Sequence, residues 1–158
     1  MDRPAVCRLA QRSDLPFLAQ SRWEFRVEED GRTEEEESAF VGRCLRFLED
    51  ALSSGRWALW LAELDGAVVA HAFLQVVEKV PTPGRNDDAL AYLTNVYTTP
   101  AHRDQGIGQA LLRHVQAWAV AHDLELVVVW PSEKSRSLYE RAGFRASREI
   151  MEMILRPE

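Results

Sequence analysis

Residues 91–112, AYLTNVYTTPAHRDQGIGQALL, have the pattern of a strand, a turn and a helix in direct succession. The apolar run Leu90–Thr98 predicts a strand, which Pro100 ends. The helix that follows is predicted by apolar residues at spacings of three and four, namely Ile107, Leu111, Val115 and Trp118. A strand that feeds directly into a helix is typical of α/β proteins, and we expect a parallel strand pair around this helix.

Hydrophobic patterning places further elements on both sides of this unit. Helices are predicted from Ser13-Asp14 through roughly Phe25, from a capping-box pattern at Thr33–Glu36, and over Ser132–Ala142. The other predicted strands are Ala5–Ala10, Trp57–Glu63, Ala67–Val77, Leu126–Trp130, Phe144–Ala146 and Ile150–Leu155. These elements predict an α/β fold with a mixed central sheet of six to seven strands and helices on both faces.

Composition limits the class of protein. The 158 residues are expected to form a single domain, residues 1–158, and the net charge of −6 argues against a nucleic-acid partner. Cys7 and Cys44 show no metal-ligand spacing, so no metal site and no disulfide is expected. No apolar run is long enough for a membrane span, and Met1–Pro4 leads into no apolar segment, which predicts no membrane association and a cytoplasmic location.

The turn before the predicted helix has the character of an anion site. The first amides of a helix lack internal partners and lie at the positive end of its dipole. Glycines at 106 and 108 keep side chains away from that backbone, and Arg103 adds a positive charge. The same glycines also suit a tight turn that serves packing alone. The pattern is neither a Walker loop nor a dinucleotide fingerprint, since Leu111 stands where the third glycine would be.

Two segments together resemble a known superfamily. Arg103-x-x-Gly106-x-Gly108, preceded by Val96-Tyr97-Thr98-Thr99-Pro100, is similar to the acetyl-CoA motif of GNAT acetyltransferases. The segment Ser132–Phe144 resembles their second signature, N-x-x-A-x-x-L-Y-x-x-x-G-F. Ser132 and Ser135 depart from the asparagine and alanine that are common there. The resemblance implies a GNAT-like acyl-CoA N-acyltransferase fold and transfer of an acetyl group from acetyl-CoA to an amine.

The resemblance also implies a set of cofactor-binding residues. Backbone groups of Val96, Tyr97 and Thr98 would pair with the pantetheine arm, in a gap between the Leu90–Thr98 and Leu126–Trp130 strands. The amides of Arg103–Gly108 would hold the pyrophosphate. The full set is Val96, Tyr97, Thr98, Arg103, Asp104, Gln105, Gly106, Ile107, Gly108, Ser132 and Ser135.

Tyr139 is the residue that the resemblance implies for catalysis. A phenol stays protonated at neutral pH and can donate its proton to the departing thiolate. The alternative is that Tyr139 has a structural role only, with its ring packed on the core. The general base stays open. The strand position that carries glutamate in some members falls near Tyr92, so no carboxylate is present there, and the candidates are Glu24, Glu78 and His71, each of which also suits an ordinary surface or core role.

Several functional alternatives stay open. The same fold could bind acyl-CoA without turnover, as a sensor or interaction module, or could transfer a bulkier acyl group. An acidic rim formed by Glu24, Glu28, Glu29 and Asp30 would suit a cationic acceptor, and equally fits a solvated loop. The apolar residues Phe40, Phe47 and Ala51 allow either a monomer or a homodimer.

Overall fold

The computed structural model describes residues 3–86 and 88–156, which form nine helices and strands besides two short 3-10 turns. In chain order the elements are β1 (Val6–Leu9), α1 (Leu15–Asp30), α2 (Glu37–Ser54), β2 (Trp57–Leu64), β3 (Ala67–Glu78), β4 (Ala89–Thr98), α3 (Ile107–Ala121), β5 (Val127–Val129) and α4 (Arg136–Arg141). No helix in the described ranges is long and apolar enough to cross a membrane.

The strands form one mixed sheet in the order β1-β2-β3-β4-β5. The first three neighbouring pairs are antiparallel, and β4 and β5 are parallel, with α3 as the crossover that a parallel pair needs. Asp65 and Gly66 both have positive φ, 50° and 82°, which suits the two-residue hairpin turn between β2 and β3. The sequence prediction of a parallel pair around α3 is confirmed.

Helices cover both faces of this sheet, because side chains of alternate strand residues point to opposite sides. On β2, Leu59 and Leu61 pack with Leu15, Leu18 and Leu48 of the first two helices. The intervening Ala58, Trp60 and Ala62 belong to the second core cluster, which α3 completes with Ile107, Leu111, Leu112 and Val115. The prediction of helices on both faces is therefore confirmed.

The predicted number of strands is wrong: the sheet has five strands rather than six to seven. The segments 144–146 and 150–155, predicted as closing strands, are not strands. A strand needs a neighbour for its backbone hydrogen bonds, and these segments pair with none of the described strands. Apolar content alone suggested them, yet Met151 is 94% exposed and Leu155 is 81% exposed.

Helix boundaries differ from the sequence prediction where long-range contacts decide them. The first helix continues to Asp30, well beyond Phe25. The predicted capping box at Thr33–Glu36 is wrong, since Glu36 is the N-cap of α2 and the Thr33 hydroxyl accepts from the Glu35 amide over 3.2 Å. The last helix begins only at Arg136.

The apolar face that suggested a homodimer is partly filled within the chain. Ala51 is buried, and the ring of Phe40 packs on Trp23 at a centroid distance of 5.6 Å. Phe47 packs on Trp57 at 5.4 Å but stays 47% exposed. The choice between a monomer and a homodimer stays a prediction.

Candidate functional site

The site begins where two parallel strands separate. The β4–β5 pairing covers only Ala91–Leu93 opposite Val127–Val129, although β4 continues to Thr98. Within the described residues, positions 94–98 thus have no strand partner on the β5 side. A cleft of about 720 Å³ occupies this split, between α1 on one side and the first turns of α3 and α4 on the other.

A bulge in β4 shapes the middle of the cleft. His71 pairs with Tyr97 and Phe73 pairs with Thr94, so β4 places two residues opposite the single Ala72 of β3. One of the two, Asn95, has a φ of 51°, in the left-handed region that few residues other than glycine adopt. Its backbone oxygen is thereby turned toward β3, where it accepts a hydrogen bond from His71 Nδ1 over 2.8 Å.

His71 supports this bulge from the core. A carbonyl oxygen only accepts, so Nδ1 carries the ring proton, and the Ser21 hydroxyl donates to Nε2 over 2.9 Å. The side chain is buried, and desolvation lowers the pKa of His71 to about 4. The imidazole is therefore neutral at pH 7, with both nitrogens engaged, and it is not among the residues that line the cleft.

The start of α3 forms one wall of the cleft. The glycine pattern predicts an anion site at this turn. Gly106 is the N-cap and has a φ of 78°, and the first turn contains no acidic residue. The opening amides of a helix have no intrahelical partner, so this turn presents free N–H groups at the positive end of the dipole. A Cβ at Gly108 would lie 3.6 Å from Thr98 Oγ1 and 3.7 Å from Leu138, which is ordinary contact.

Arg103 lies beside this turn but is held by α1. Its guanidinium is 2.7 Å from Glu28 Oε1, and its Nε donates to the Thr98 backbone oxygen over 3.0 Å. The Tyr97 hydroxyl donates to the other oxygen of Glu28 over 2.9 Å. Burial raises the pKa of Glu28, but the bonds from Arg103 and Tyr97 outweigh it and leave the pKa below its usual value.

Tyr139 lines the cleft from α4. Its side chain is 7% exposed, and its ring packs edge-on against Phe144 at a centroid distance of 5.5 Å. The hydroxyl forms no hydrogen bond with any residue in the described ranges. Burial raises the pKa of Tyr139 to about 12, so the phenol keeps its proton across the physiological range.

The two serines before α4 are bonded to each other. Ser132 Oγ and Ser135 Oγ are 3.0 Å apart, and Ser132 Oγ also accepts from the Ser135 amide over 3.3 Å. Ser132 thus stabilises the turn that leads into the helix, and both serines line the cleft.

Comparison with known proteins now decides the family. The sequence profile of the acetyltransferase (GNAT) family matches residues 15–144, most of the chain. The chain belongs to the GNAT acetyltransferase family. The split strands, the α3 turn and Tyr139 all lie in or beside the segments on which the resemblance was recognised.

Individual relatives agree with this assignment. A GCN5-related N-acetyltransferase from Ralstonia eutropha is 30% identical, with a TM-score of 0.76 over 96% of this chain and 99% of that one. A predicted acetyltransferase from Clostridium acetobutylicum, solved with acetyl-CoA, has a TM-score of 0.80 at 22% identity over 96% of this chain and 97% of that one, which shows a shared fold.

One curated relative carries the name of a substrate. Glucosamine 6-phosphate N-acetyltransferase of Trypanosoma brucei brucei is 31% identical over 90 residues, 57% of this chain. The match spans 59% of that protein's length, so its acceptor is a matter for proposal here.

In this GNAT member, most of the predicted site residues line the cleft, and the others lie outside its lining. Val96, Tyr97, Thr98, Ser132, Ser135 and Tyr139 line one cleft, as do Arg103, Asp104, Gly106, Ile107 and Gly108, while Gln105 is not among the lining residues. Among the three candidate bases, His71 is enclosed in the core, Glu24 is exposed outside the cleft lining, and Glu78 pairs with Ala89 at the far end of β4.

Two of the four residues of the predicted acidic rim are engaged within the chain. Glu28 binds Arg103 and Tyr97, and Asp30 pairs with Arg26. Of the rim, only Glu29 is among the residues that line the cleft.

Sequence reasoning missed Arg22 and Asn95 as site residues. Both line the cleft, and Arg22 donates to Asn95 Oδ1 over 3.1 Å. A signal was present, because Arg22 continues the apolar stripe of Leu15 and Leu18, and a charged residue in such a stripe is unusual.

Within the described ranges, no group of three or more His, Cys, Asp and Glu side chains is placed to hold a metal ion.

Proposed function

We propose that this protein is an N-acetyltransferase that moves the acetyl group of acetyl-CoA to a primary amine of a small molecule or a protein. The observation that carries the proposal is the cleft itself. A strand edge that has no partner among the described residues, the free amides at the start of a helix and a protonated tyrosine all lie there. Family membership supports acetyl transfer, and the geometry supports an extended, phosphate-bearing donor.

The residues present suit acetyl-CoA. The pantetheine arm carries amides, and the unpaired edge of β4 at Val96, Tyr97 and Thr98 offers it backbone groups as a further strand would. The pyrophosphate needs hydrogen-bond donors and positive charge. The backbone amides of residues 103–108 would supply the donors, and Arg103 would supply the charge by exchanging Glu28 for the phosphate. Ser132 and Ser135 would border the cofactor on the α4 side.

Tyr139 would act as the general acid. Bound acetyl-CoA supplies an activated acyl group, and CoA thiol is the product that needs a proton. A thiol has a pKa near 8.5, whereas burial raises the pKa of Tyr139 to about 12, so the phenol still carries its proton when the C–S bond breaks. Transfer of this proton to the thiolate is uphill by these values, and it is completed when the Tyr139 phenolate takes up the proton that the attacking amine nitrogen releases as the amide forms. Its hydroxyl has no competing acceptor among the described residues.

We propose that the acceptor amine loses its proton before it enters the cleft. None of Glu24, Glu78 and His71 lines the cleft, and the pKa of His71, lowered to about 4 by burial, makes it a poor base at neutral pH. The rate should then rise with pH as the amine deprotonates.

The experiment is an acceptor screen with acetyl-CoA, read by release of free thiol, alongside calorimetry of acetyl-CoA binding. The panel includes amino sugars and their phosphates, amino acids, polyamines and lysine peptides. Thiol release with transfer to an amine supports the proposal. Tight binding of acetyl-CoA without turnover on any acceptor would instead identify a non-catalytic acyl-CoA-binding module. Replacing acetyl-CoA by propionyl-CoA in the same assay tests the preference for the acyl group.

A further inference from the structure

Arg22 is a half-buried cation in the wall of the cleft. Burial lowers its pKa from the usual value, which marks the cost of holding a charge away from water. Arg8, Arg26, Arg43 and Arg103 each have a carboxylate within 4.0 Å, yet in the described part of the chain Arg22 has none. Its neighbours are the Phe25 ring, 5.7 Å from the guanidinium carbon, and Asn95 Oδ1.

Asn95 provides a second, independent observation. It is only 8% exposed, and its Nδ2 is buried without a hydrogen-bond partner in the described ranges. A buried amide donor without a partner is costly. Arg22 fixes the orientation of this amide, because its N–H occupies Oδ1 and leaves Nδ2 as the free end. Both side chains line the cleft, where they present donors only.

These donors are distinct from those at the start of α3. Glu28 reaches Arg103 beside the α3 turn, and Arg22 lies six residues earlier on α1, which corresponds to about 9 Å along a helix. Arg22 is instead close to the bulge at Asn95, in the middle of β4. The cleft therefore has two regions that favour anions, and the pyrophosphate would use only the one at α3.

We propose that Arg22 and Asn95 bind an anionic group, a carboxylate or a phosphate, on the acceptor. This inference rests on the proposed acetyltransferase function and names the class of acceptor: a molecule that carries both a primary amine and an anionic group. Arg22 can bind two oxygens of such a group through its planar fork, and Asn95 Nδ2 can donate to one of them. Polyamines are disfavoured at this position, because Arg22 would repel them.

Matched acceptors test the inference directly. Glucosamine 6-phosphate is compared with glucosamine, and α-amino acids are compared with their amides, so that the two arms separate phosphate from carboxylate. In the wild type we expect kcat/KM to be at least 10-fold higher for the anionic member of one pair. Arg22→Gln removes a charge-assisted hydrogen bond, so the kcat/KM for the anionic acceptor should fall by about 10- to 100-fold in this variant. The loss should appear mainly as a higher KM for the acceptor.

The controls separate ligand binding from structural support. Arg22→Met keeps the aliphatic packing, Arg22→Lys should retain part of the preference, and Arg43→Gln removes an exposed arginine outside the cleft lining. Acetyl-CoA affinity should change by less than about 2-fold in the Arg22 variants. Two results would overturn the inference: an equal loss of kcat/KM for charged and neutral acceptors in Arg22→Gln, or a higher kcat/KM of the wild type for neutral amines. Neither result would contradict acetyl transfer itself.

A binding measurement keeps the inference testable without turnover. Calorimetry with glucosamine 6-phosphate and with α-amino acids should show binding to the wild type that Arg22→Met weakens, with melting curves as a check of folding. If no acceptor is acetylated but this difference is observed, the proposed function fails and the anion site stands. If neither probe binds the wild type, the anion site is wrong.

Discussion

His71 donates through Nδ1 to the backbone oxygen of Asn95 over 2.8 Å, at the point where β4 bulges into the cleft. This bond joins the core of the protein to the residue whose side chain meets Arg22. The imidazole must stay neutral, since Nε2 accepts from Ser21. Protonation of the ring therefore opposes the folded state.

The first prediction concerns the pH dependence of stability. Burial lowers the pKa of folded His71 to about 4, below its value of 6.5 in an unfolded chain. Between these pH values the unfolded chain binds one more proton, so stability falls as pH decreases. The expected loss from pH 7 to pH 5 is about 2 kcal/mol. Urea denaturation at both pH values measures it.

His71→Asn is the matched variant for this experiment, since its amide can still donate to the Asn95 oxygen. It should be less stable than the wild type at pH 7 and should lose less stability on acidification. The other three histidines, His102, His114 and His122, stay in both proteins, so the difference reports His71. Equal acid sensitivity of the two proteins would contradict a neutral, buried His71.

The second prediction concerns Tyr139. Tyr139→Phe keeps the packing against Phe144 and removes only the proton donor. Acetyl-CoA affinity should stay nearly constant while kcat falls by about 10²- to 10⁴-fold. The loss should shrink with a thioester whose thiol is more acidic, because that thiolate needs less protonation.

The pH profile adds a check on the same residue. Because the pKa of Tyr139 is raised to about 12, no decline in rate from ionisation of this phenol is expected up to about pH 10. Full turnover of Tyr139→Phe on a good acceptor would make Tyr139 a packing residue.

The third prediction compares two glycines of the α3 turn. Gly106 has a φ of 78°, so Gly106→Ala should destabilise the protein by about 1–2 kcal/mol although nothing lies within 4 Å of the new Cβ. Gly108→Ala, inside the helix, should be neutral or stabilising by up to about 1 kcal/mol. Thermal or urea unfolding of both variants measures the contrast, and equal effects would contradict the role of backbone conformation.

The fourth prediction concerns cofactor binding at the same turn. In Gly108→Val, the new Cβ would lie 3.6 Å from Thr98 Oγ1 and 3.7 Å from Leu138, and its two methyl groups would enter the part of the cleft beside the α3 turn. Acetyl-CoA binding should be abolished while the fold stays intact, as judged by circular dichroism. Gly108→Ala is the steric control. Undiminished affinity of the valine variant in calorimetry would refute the pyrophosphate position.

The sequence predicted much of the fold, and it failed where strands depend on partners. Periodicity located β2, β3, β4 and α3, because a buried face repeats along its own element. The same reasoning produced two strands after Gly143 that do not exist, since apolar content cannot reveal whether a neighbouring edge is available. Five strands were the result rather than six to seven.

The site was predictable to the extent that it is local. The glycine turn and the start of α3 could be located from the sequence, because backbone conformation and helix dipoles depend on a few adjacent residues. Three other features depend on long-range packing: β4 leaves β5 after Leu93, Glu28 holds Arg103, and Arg22 meets Asn95 across 73 positions of sequence. Contacts at such separations follow from strand register and helix packing, which hydrophobic pattern restricts but does not specify.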